Sequence, residues 1–449
     1  MTTVLWFRRD LRLADHLALR RAAAAGPVVP LFVVNPFALR LTGPVRTAFL
    51  LRCLRALDDS MGGRLVVKVG DPHDIVPIVA KEVEAAAVYV STDFGGYGRG
   101  RDWDVASSLE MGGRQFLRVG SPYAVEPGTI RNGGGQPFQV FTPFYRAWRA
   151  HGWAQPLAPP HEVRWVEGVR SDDLPPEPRV EARLPPAGEA AALARVDAFL
   201  AGPAAHYDAL RDQPAADASS RLSPYLKFGC IHPRQVLARL GGSKAHEKLR
   251  SEVAWREFYA DVLWHRPGAS SASLQPAMAG MRVDTGRQAD ERFRAWAEGR
   301  TGYPFVDAGM RQLLAEAWMP NRVRMVVASF LVKDLHIDWT RGARWFLRHL
   351  VDGDPASNSL NWQWVAGTGT DPAPYFRIFN PVTQGKEHDP DGDYVRRWVP
   401  ELAGVAAAAV HEPWKLPGGV PSGYPERIVD HATERAEALA RYSALKSGR

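Results

Sequence analysis

The sequence predicts an α/β N-terminal domain with a parallel, doubly wound sheet, followed by an all-α C-terminal domain. Three observations carry this expectation. Over residues 1–126, short β-type runs bounded by turns alternate with alanine- and leucine-rich helical stretches, the pattern of buried parallel strands connected by helices. From about residue 189 onward no β alternation appears and the apolar periodicity is helical. Between them, Pro156, Pro159, Pro160, Pro175, Pro176, Pro178, Pro185 and Pro186 interrupt a stretch with few apolar side chains, the composition of an irregular connector. The expected organisation is a domain over 1–126, a linker over 127–188 and a helical domain over 189–449; 449 residues are too many for one ordinary core.

In order, the strands are expected at VLWF (4–7), VVPLFVV (28–34), RLVVKVG (64–70), AAVYVS (86–91) and QFLRVG (115–120). Helices are expected at 16–25 and 46–61, and after Asp71-Pro72, a cap followed by a proline in the first turn. In the second half, Ser223-Pro224 reads as a serine cap with a proline at the first helical position, and His232-Pro233 precedes another helix. Residues 244–265, 305–318 and 321–338 have helix-compatible periodicity.

A hydrophobic fraction of 45% and a charged fraction of 23% exclude a wholly disordered or fibrous chain. Two cysteines, Cys53 and Cys230, far apart in sequence, cannot supply a disulfide framework, a four-thiolate zinc site or a cysteine-ligated iron–sulfur cluster. The apolar runs at 326–332 and 402–410 are too short to span a bilayer, and the first arginines follow rather than precede the opening apolar run, so a cytoplasmic protein is expected. The net charge of +7 is spread along the chain; it permits a polyanionic partner and does not locate one. Fourteen of the fifteen tryptophans fall after residue 100, scattered as large cores or interfaces would scatter them.

Motif searches return little. Gly95-Gly96-Tyr97-Gly98-Arg99-Gly100 lacks the dinucleotide spacing, no phosphate-loop, zinc-protease, serine-hydrolase or kinase set occurs, and the histidines show no metal-ligand spacing. Four constellations remain. Ser219-Ser220-Arg221-Leu222-Ser223 gathers hydroxyls and a cation at a helix start, where an anion is favoured; a plain serine cap is the alternative. Glu252 and Trp255 share a helix face, fit either for a planar heterocycle or for an amphipathic helix that buries its indole. Asn321 and Met325 are also one turn apart, with Arg322 and Arg324 between them, on a helix start with surface arginines. Residues 352–364 hold Asp352, Asp354, Asn358, Trp362 and Trp364, more acids, amides and indoles than a core explains; the acids suit sugar hydroxyls, an arginine or solvent.

Together these residues resemble the photolyase/cryptochrome flavoprotein family, specifically class I photolyases of cyclobutane pyrimidine dimers. The resemblance runs from Trp6-Phe7-Arg8-Arg9-Asp10-Leu11-Arg12 to about Leu402. Its strongest segments are Ser219–Ser223, Trp255-Arg256-Glu257-Phe258-Tyr259, Thr301-Gly302-Tyr303-Pro304, Trp318–Met325, Asp352–Trp364 and Tyr375–Gln384. It implies FAD, active when reduced, in the helical domain, and light-driven electron transfer to a flipped-out pyrimidine dimer in single- or double-stranded DNA, by a monomer. By position, Tyr207, Ser219, Ser220, Arg221, Leu222 and Ser223 match phosphate and ribityl contacts; Arg256, Arg324, Asp352, Asp354 and Asn358 match flavin-site positions, with Arg324 paired to Asp352. Glu252, Trp255, Asn321, Arg322, Met325 and Trp364 match the dimer pocket, and Arg211, Arg322 and Arg377 match positions near DNA. Trp362 and Trp339 match the first two members of an electron-transfer chain whose third position holds Gly286. The family also binds a folate, deazaflavin or flavin antenna, or none, near such positions as Arg46 and Asp93. A cryptochrome-like light sensor on the same fold, and repair of the (6-4) photoproduct, are the alternative readings.

Overall fold

The computed structural model describes residues 1–278, 280–371 and 377–447. The five apolar runs form one parallel sheet: β1 (Thr3–Phe7), β2 (Val28–Val34), β3 (Val66–Val69), β4 (Ala87–Val90) and β5 (Gln115–Arg118), in the order β3-β2-β1-β4-β5. Central β1 is buried along its whole length, with Thr3 in register with Val28 on one side and Ala87 on the other. The intervening helices are α1 (Leu17–Ala25), α2 (Pro36–Thr42), α3 (Pro44–Ser60), α4 (Pro72–Glu82) and α5 (Gly96–Met111). Val4, Trp6, Val29, Leu31, Val88 and Val90 meet Val76, Val79, Val105 and Leu109 in one core. Asp71 caps α4 by accepting from the His73 amide at 2.9 Å, ahead of Pro72. The winding direction reverses between β1 and β4, the place where doubly wound sheets bind ligands.

The proline-rich segment has a job at the sheet edge. Because β3 pairs only with Leu31–Val34, the start of β2 has an open edge, and Val28 exchanges backbone bonds with Arg164 and Val166 at 2.8 and 2.9 Å. Further on, the Ser171 hydroxyl accepts from the Val67 amide and Asp172 donates to the Val67 carbonyl. The connector thus covers strand edges that would otherwise invite pairing with another chain.

The later helices are α6 (Phe141–His151), α7 (Glu189–Leu200), α8 (Tyr207–Leu210), α9 (Ser223–Phe228), α10 (Pro233–Leu237), α11 (Lys244–His265), α12 (Arg287–Ala297), α13 (Pro304–Glu316), α14 (Asn321–Ser329), α15 (Trp339–His349), α16 (Pro355–Ala366), α17 (Pro381–His388), α18 (Asp393–Trp398) and α19 (His431–Ser447). Compactness divides the chain into two units. One comprises Met1–Val180, Pro185–Ala205 and Ser220–Pro267; the other comprises Glu181–Leu184, His206–Ser219 and Gly268–Arg449. The first unit therefore takes α7, α9, α10 and α11 with the sheet, unlike a division at residue 189. Buried Glu257 on α11 shows the cause: it accepts from the amides of Ala124 and Val125 at 2.5 and 3.0 Å and from Trp148 Nε1 at 2.7 Å.

Two local expectations are corrected. Ser223 is the first helical residue of α9 and Leu222 holds the cap position, with no side-chain capping bond. The helix expected over 321–338 is α14 followed by a wider π-helical turn at Phe330–Asp334, and it ends before His336, whose φ is 53°.

The second unit packs Trp296, Tyr303, Phe305, Leu313, Val323, Val327, Phe346, Trp362 and Tyr394 into its core. Thr301-Gly302-Tyr303-Pro304 leads into α13 and is held by Asp307, which accepts from the Thr301 and Gly302 amides and the Tyr424 hydroxyl at 2.7, 3.0 and 2.6 Å. Gly302 has φ of 77°, and a Cβ there would lie 2.5 Å from Arg427 N, so only glycine fits. No helix among the described residues is long and apolar enough to cross a membrane.

Candidate active site

In the first unit, α11 carries Glu252, Trp255 and Arg256. The half-buried Trp255 ring lies flat against Phe141, with centroids 3.7 Å apart and planes 9° apart. Tyr259 and Phe258 border it at 5.2 and 5.7 Å. Phe141 is the first residue of α6, and α6 is fixed by the bond from Trp148 to Glu257. Glu257, to which the sequence assigns no role, is fully buried, and burial pushes its carboxyl above the ordinary glutamate range. Glu252, one turn before Trp255, faces Lys248 Nζ at 3.4 Å and remains partly exposed.

Arg256 has a scaffolding geometry. Its guanidinium donates to the carbonyls of Pro122 and Leu226 at 3.1 and 3.2 Å and lies over the Tyr123 ring at 4.7 Å. It thus ties α11 to the chain after β5 and to α9. In the serine segment, the Ser220 carbonyl accepts from Arg195 Nε at 2.8 Å, Leu222 is buried, and Arg221 has φ of 51°. A left-handed arginine is a strained conformation of the kind found at ligand-binding turns. Compactness places Ser219 in the second unit and Ser220–Ser223 in the first.

In the second unit, α14 presents Asn321, Arg322, Arg324 and Met325. Arg324 grips buried Asp352 with two donors at 2.8 and 3.2 Å and gives Nε to the Met319 carbonyl at 2.8 Å, so the expected Arg324–Asp352 pair is present. Asn321 Nδ2 lies 3.5 Å from Met325 Sδ. Asp354 is the cap of α16, accepting from the amides of Ala356 and Ser357 at 3.1 and 3.2 Å. Asn358, nearly buried on α16, donates to the Ala343 carbonyl at 3.0 Å. That bond occupies one end of the amide and leaves its carbonyl oxygen to face an N–H donor.

Trp362, one turn beyond Asn358, is 2% exposed. A Cβ on Gly342 would come within 2.2 Å of Trp362 Cη2, so that glycine lets α15 and α16 approach. Its ring meets Phe346 at 5.0 Å and Trp296 at 6.2 Å, and its indole N–H is buried without a partner among the described residues. Trp339 opens α15 and is 5% exposed, and Trp364 packs half-buried against the core.

The three DNA-side arginines differ. Arg322 Nη2 binds Asp212 at 2.9 Å, and Arg211 Nε approaches the same carboxylate at 3.7 Å while its guanidinium lies over Tyr207 at 5.5 Å. Burial works to raise the Asp212 pKa, but the hydrogen bond and charge of Arg322, with the charge of Arg211, hold it below the ordinary range. Arg377 is exposed, and its carbonyl accepts from Lys333 Nζ. The first two residues of the Tyr375–Gln384 motif lie outside the described residues.

A second polar cluster borders the sheet's switch point. Asp93 binds Arg101 at 3.2 Å and the Gly95 amide at 3.0 Å, while Arg8 pairs with buried Asp102. Arg8 and Arg101 both lie over the Trp6 ring, at 4.9 and 5.0 Å. Burial opposes ionisation of Asp93, yet Arg9, Arg101 and Arg8 keep its pKa below the ordinary range. Arg46 instead gives Nη2 to the Thr42 carbonyl at 2.5 Å, within its own helical neighbourhood.

A parallel sheet whose own unit carries an indole–carboxylate face on α11, together with a helical unit that carries a buried amide on α16, defines a two-unit α/β–helical protein. Residues 3–162 match the family described as DNA photolyase, and residues 249–444 match the FAD binding domain of DNA photolyase. The chain belongs to the DNA photolyase family. It is 45% identical to a deoxyribodipyrimidine photo-lyase of Streptomyces griseus over 448 residues, covering 96% of this chain and 97% of that one. Among solved structures, it superposes on a class III photolyase from Agrobacterium tumefaciens with a TM-score of 0.93 at 38% identity, covering 99% of this chain and 98% of that one. A cryptochrome from Synechocystis superposes with a TM-score of 0.89 at 28% identity, covering 98% of each chain.

Proposed function

We propose that the chain is a class I photolyase that reverses cyclobutane pyrimidine dimers in DNA under blue light, using FAD. The observation that carries this reading is the Trp255 ring, half-buried and backed face-to-face by Phe141, with the Glu252 carboxylate one turn away. That is an aromatic surface for a pyrimidine dimer to pack on, beside a hydrogen-bonding group for the pyrimidine edge. A dimer must leave the duplex to reach it, and its weakened stacking lowers an extrusion cost of a few kcal/mol. By the family resemblance, Asn321, Arg322, Met325 and Trp364 are assigned to dimer contacts; a polarizable thioether suits the saturated, irregular face of a dimer.

Tyr207, Ser219, Ser220, Arg221, Leu222 and Ser223 would hold the phosphates and ribityl chain of FAD, and Arg324, Asp352, Asp354, Asn358 and Arg256 the flavin end. The residues fit: the buried Asn358 amide, whose Nδ2 is held by the Ala343 carbonyl, would offer its oxygen as an acceptor to a flavin N–H, and the Asp352 charge is already balanced by Arg324. When bound and reduced, FAD supplies on excitation the electron that opens the dimer and receives it back. Met325 and the Glu252–Trp255 pair favour repair over a sensory role on this shared fold, and the absence of histidine from Trp318–Met325 argues against the (6-4) photoproduct. The test is loss of dimers from a UV-irradiated oligonucleotide incubated with the purified flavoprotein. Loss under blue light and none in darkness is expected; light-independent loss, or none under either condition, overturns the reading.

Two results follow from the site. Asn358→Asp is expected to retain FAD but lower the flavin's reduction potential and shorten the lifetime of reduced flavin in air, because an anion would face an anion. An unchanged potential and lifetime count against the assignment. Affinity for DNA is expected to fall steeply with salt, and Arg377→Ala to flatten the log–log slope by about 0.9. Arg211 and Arg322 share Asp212, so either one's replacement leaves a carboxylate less neutralised and weakens binding beyond the loss of one contact. A salt-independent affinity would rule out this mode of binding.

A further inference from the structure

The two cysteines of the chain, 177 residues apart, touch: Cys230 Sγ lies 3.5 Å from Cys53 Sγ, and both residues are fully buried in the first unit. Cys53 lies midway along α3 and Cys230 two residues beyond the end of α9. The position of Cys230 is tightly fixed. Gly229 before it has φ of 69° and lies so close to the chain after β1 that a Cβ would fall 2.0 Å from the Arg9 carbonyl oxygen. The Cys230 amide then bonds the Tyr225 carbonyl at 2.9 Å. On the other side, Phe49 of α3 packs on Phe228 and Tyr225 with centroids 5.2 and 6.2 Å apart. Both sulfurs are thus held facing each other by rigid, packed elements.

We propose that Cys53 and Cys230 are a reversible covalent site, closed into a disulfide by hydrogen peroxide, that staples α3 to the loop leaving α9. A disulfide needs the sulfurs at about 2.05 Å, a shortening of roughly 1.5 Å from their present contact. One sulfur attacks a peroxide oxygen, giving a sulfenic acid and one water; the other displaces a second water from it. The two thiols lose two electrons and two protons, and peroxide leaves as two waters. Burial, together with the neighbouring Cys230, keeps the Cys53 thiol protonated at neutral pH, so the reaction is slow and selects a small neutral oxidant over a bulky disulfide. The closed loop is long, so the staple restricts the unfolded chain strongly.

The test is peptide mapping and thermal unfolding of the native flavoprotein after peroxide treatment, with oxidation of Met111, which is 83% exposed, marking the dose. A cross-linked Cys53–Cys230 peptide about 2 Da lighter than its two thiol halves, opened again by dithiothreitol, is expected. With it comes a rise in melting temperature on the order of 5–10 °C. Cys53→Ala and Cys230→Ala should show neither the link nor the rise. Cysteines recovered as free thiols or sulfinic acids at a dose that oxidises Met111, or a cross-link without the rise, overturns the proposal. So does faster closure by oxidised glutathione than by peroxide.

Discussion

Trp255→Ala is expected to weaken binding of dimer-containing DNA by roughly 5- to 150-fold, the equivalent of about 1–3 kcal/mol of base–aromatic stacking, and to leave undamaged DNA almost unaffected. The indole lies flat on Phe141, so its orientation is set before any lesion arrives and binding need not order it. Its removal opens space at a half-buried surface, while Val253, Ala254 and Phe258 continue to anchor α11 in the core. Glu252→Ala should act in the same direction, through loss of the hydrogen-bonding group one turn away. Titration of each variant against irradiated and unirradiated duplexes decides the matter: equal losses on both would mean that Trp255 and Glu252 support DNA binding in general and do not read the lesion.

Much of this was legible in the sequence because the signals were local. Four of the five strands lie within the expected runs and β1 begins one residue earlier, at Thr3, since a buried parallel strand is a short apolar run whatever it packs against. The helix over 244–265 appears as Lys244–His265, and Asp71-Pro72 begins α4 as its chemistry dictates. What escaped was long-range. That α11 belongs with the sheet depends on Glu257 reaching residues more than a hundred positions earlier. That Arg211 and Arg322 share a carboxylate depends on Asp212, adjacent to one and 110 positions from the other. Cys53 and Cys230, far apart in sequence, are in contact. At the site, the Arg324–Asp352 pair followed from family resemblance, whereas the capping role of Asp354 was open to local reasoning: an aspartate before proline at a helix start accepts from the next amides.

Trp362→Phe is expected to abolish most light-driven reduction of oxidised flavin while sparing repair by enzyme reduced chemically beforehand, because the proposed repair would begin from reduced flavin and would not need a tryptophan chain to supply its electron. By the family resemblance, the position of the third tryptophan falls on Gly286, which precedes α12 with φ of 83° and ψ of −173°, a combination essentially confined to glycine. Photoreduction by the unmodified protein should therefore be slow unless another indole serves. The structure supplies a candidate: Trp296 meets Trp362 at 6.2 Å, is fully buried, and donates its N–H to the Val327 carbonyl at 2.9 Å. Gly286→Trp meets nothing within 4 Å at its Cβ and should raise the photoreduction yield with an external thiol donor, at a stability cost of about 1–3 kcal/mol for the strained backbone. If the unmodified protein already photoreduces as well as Gly286→Trp, the expected gap at residue 286 has no functional consequence. Loss of that activity in Trp296→Phe, with Trp339→Phe unaffected, would then trace the electrons from Trp362 through Trp296 instead of through the start of α15.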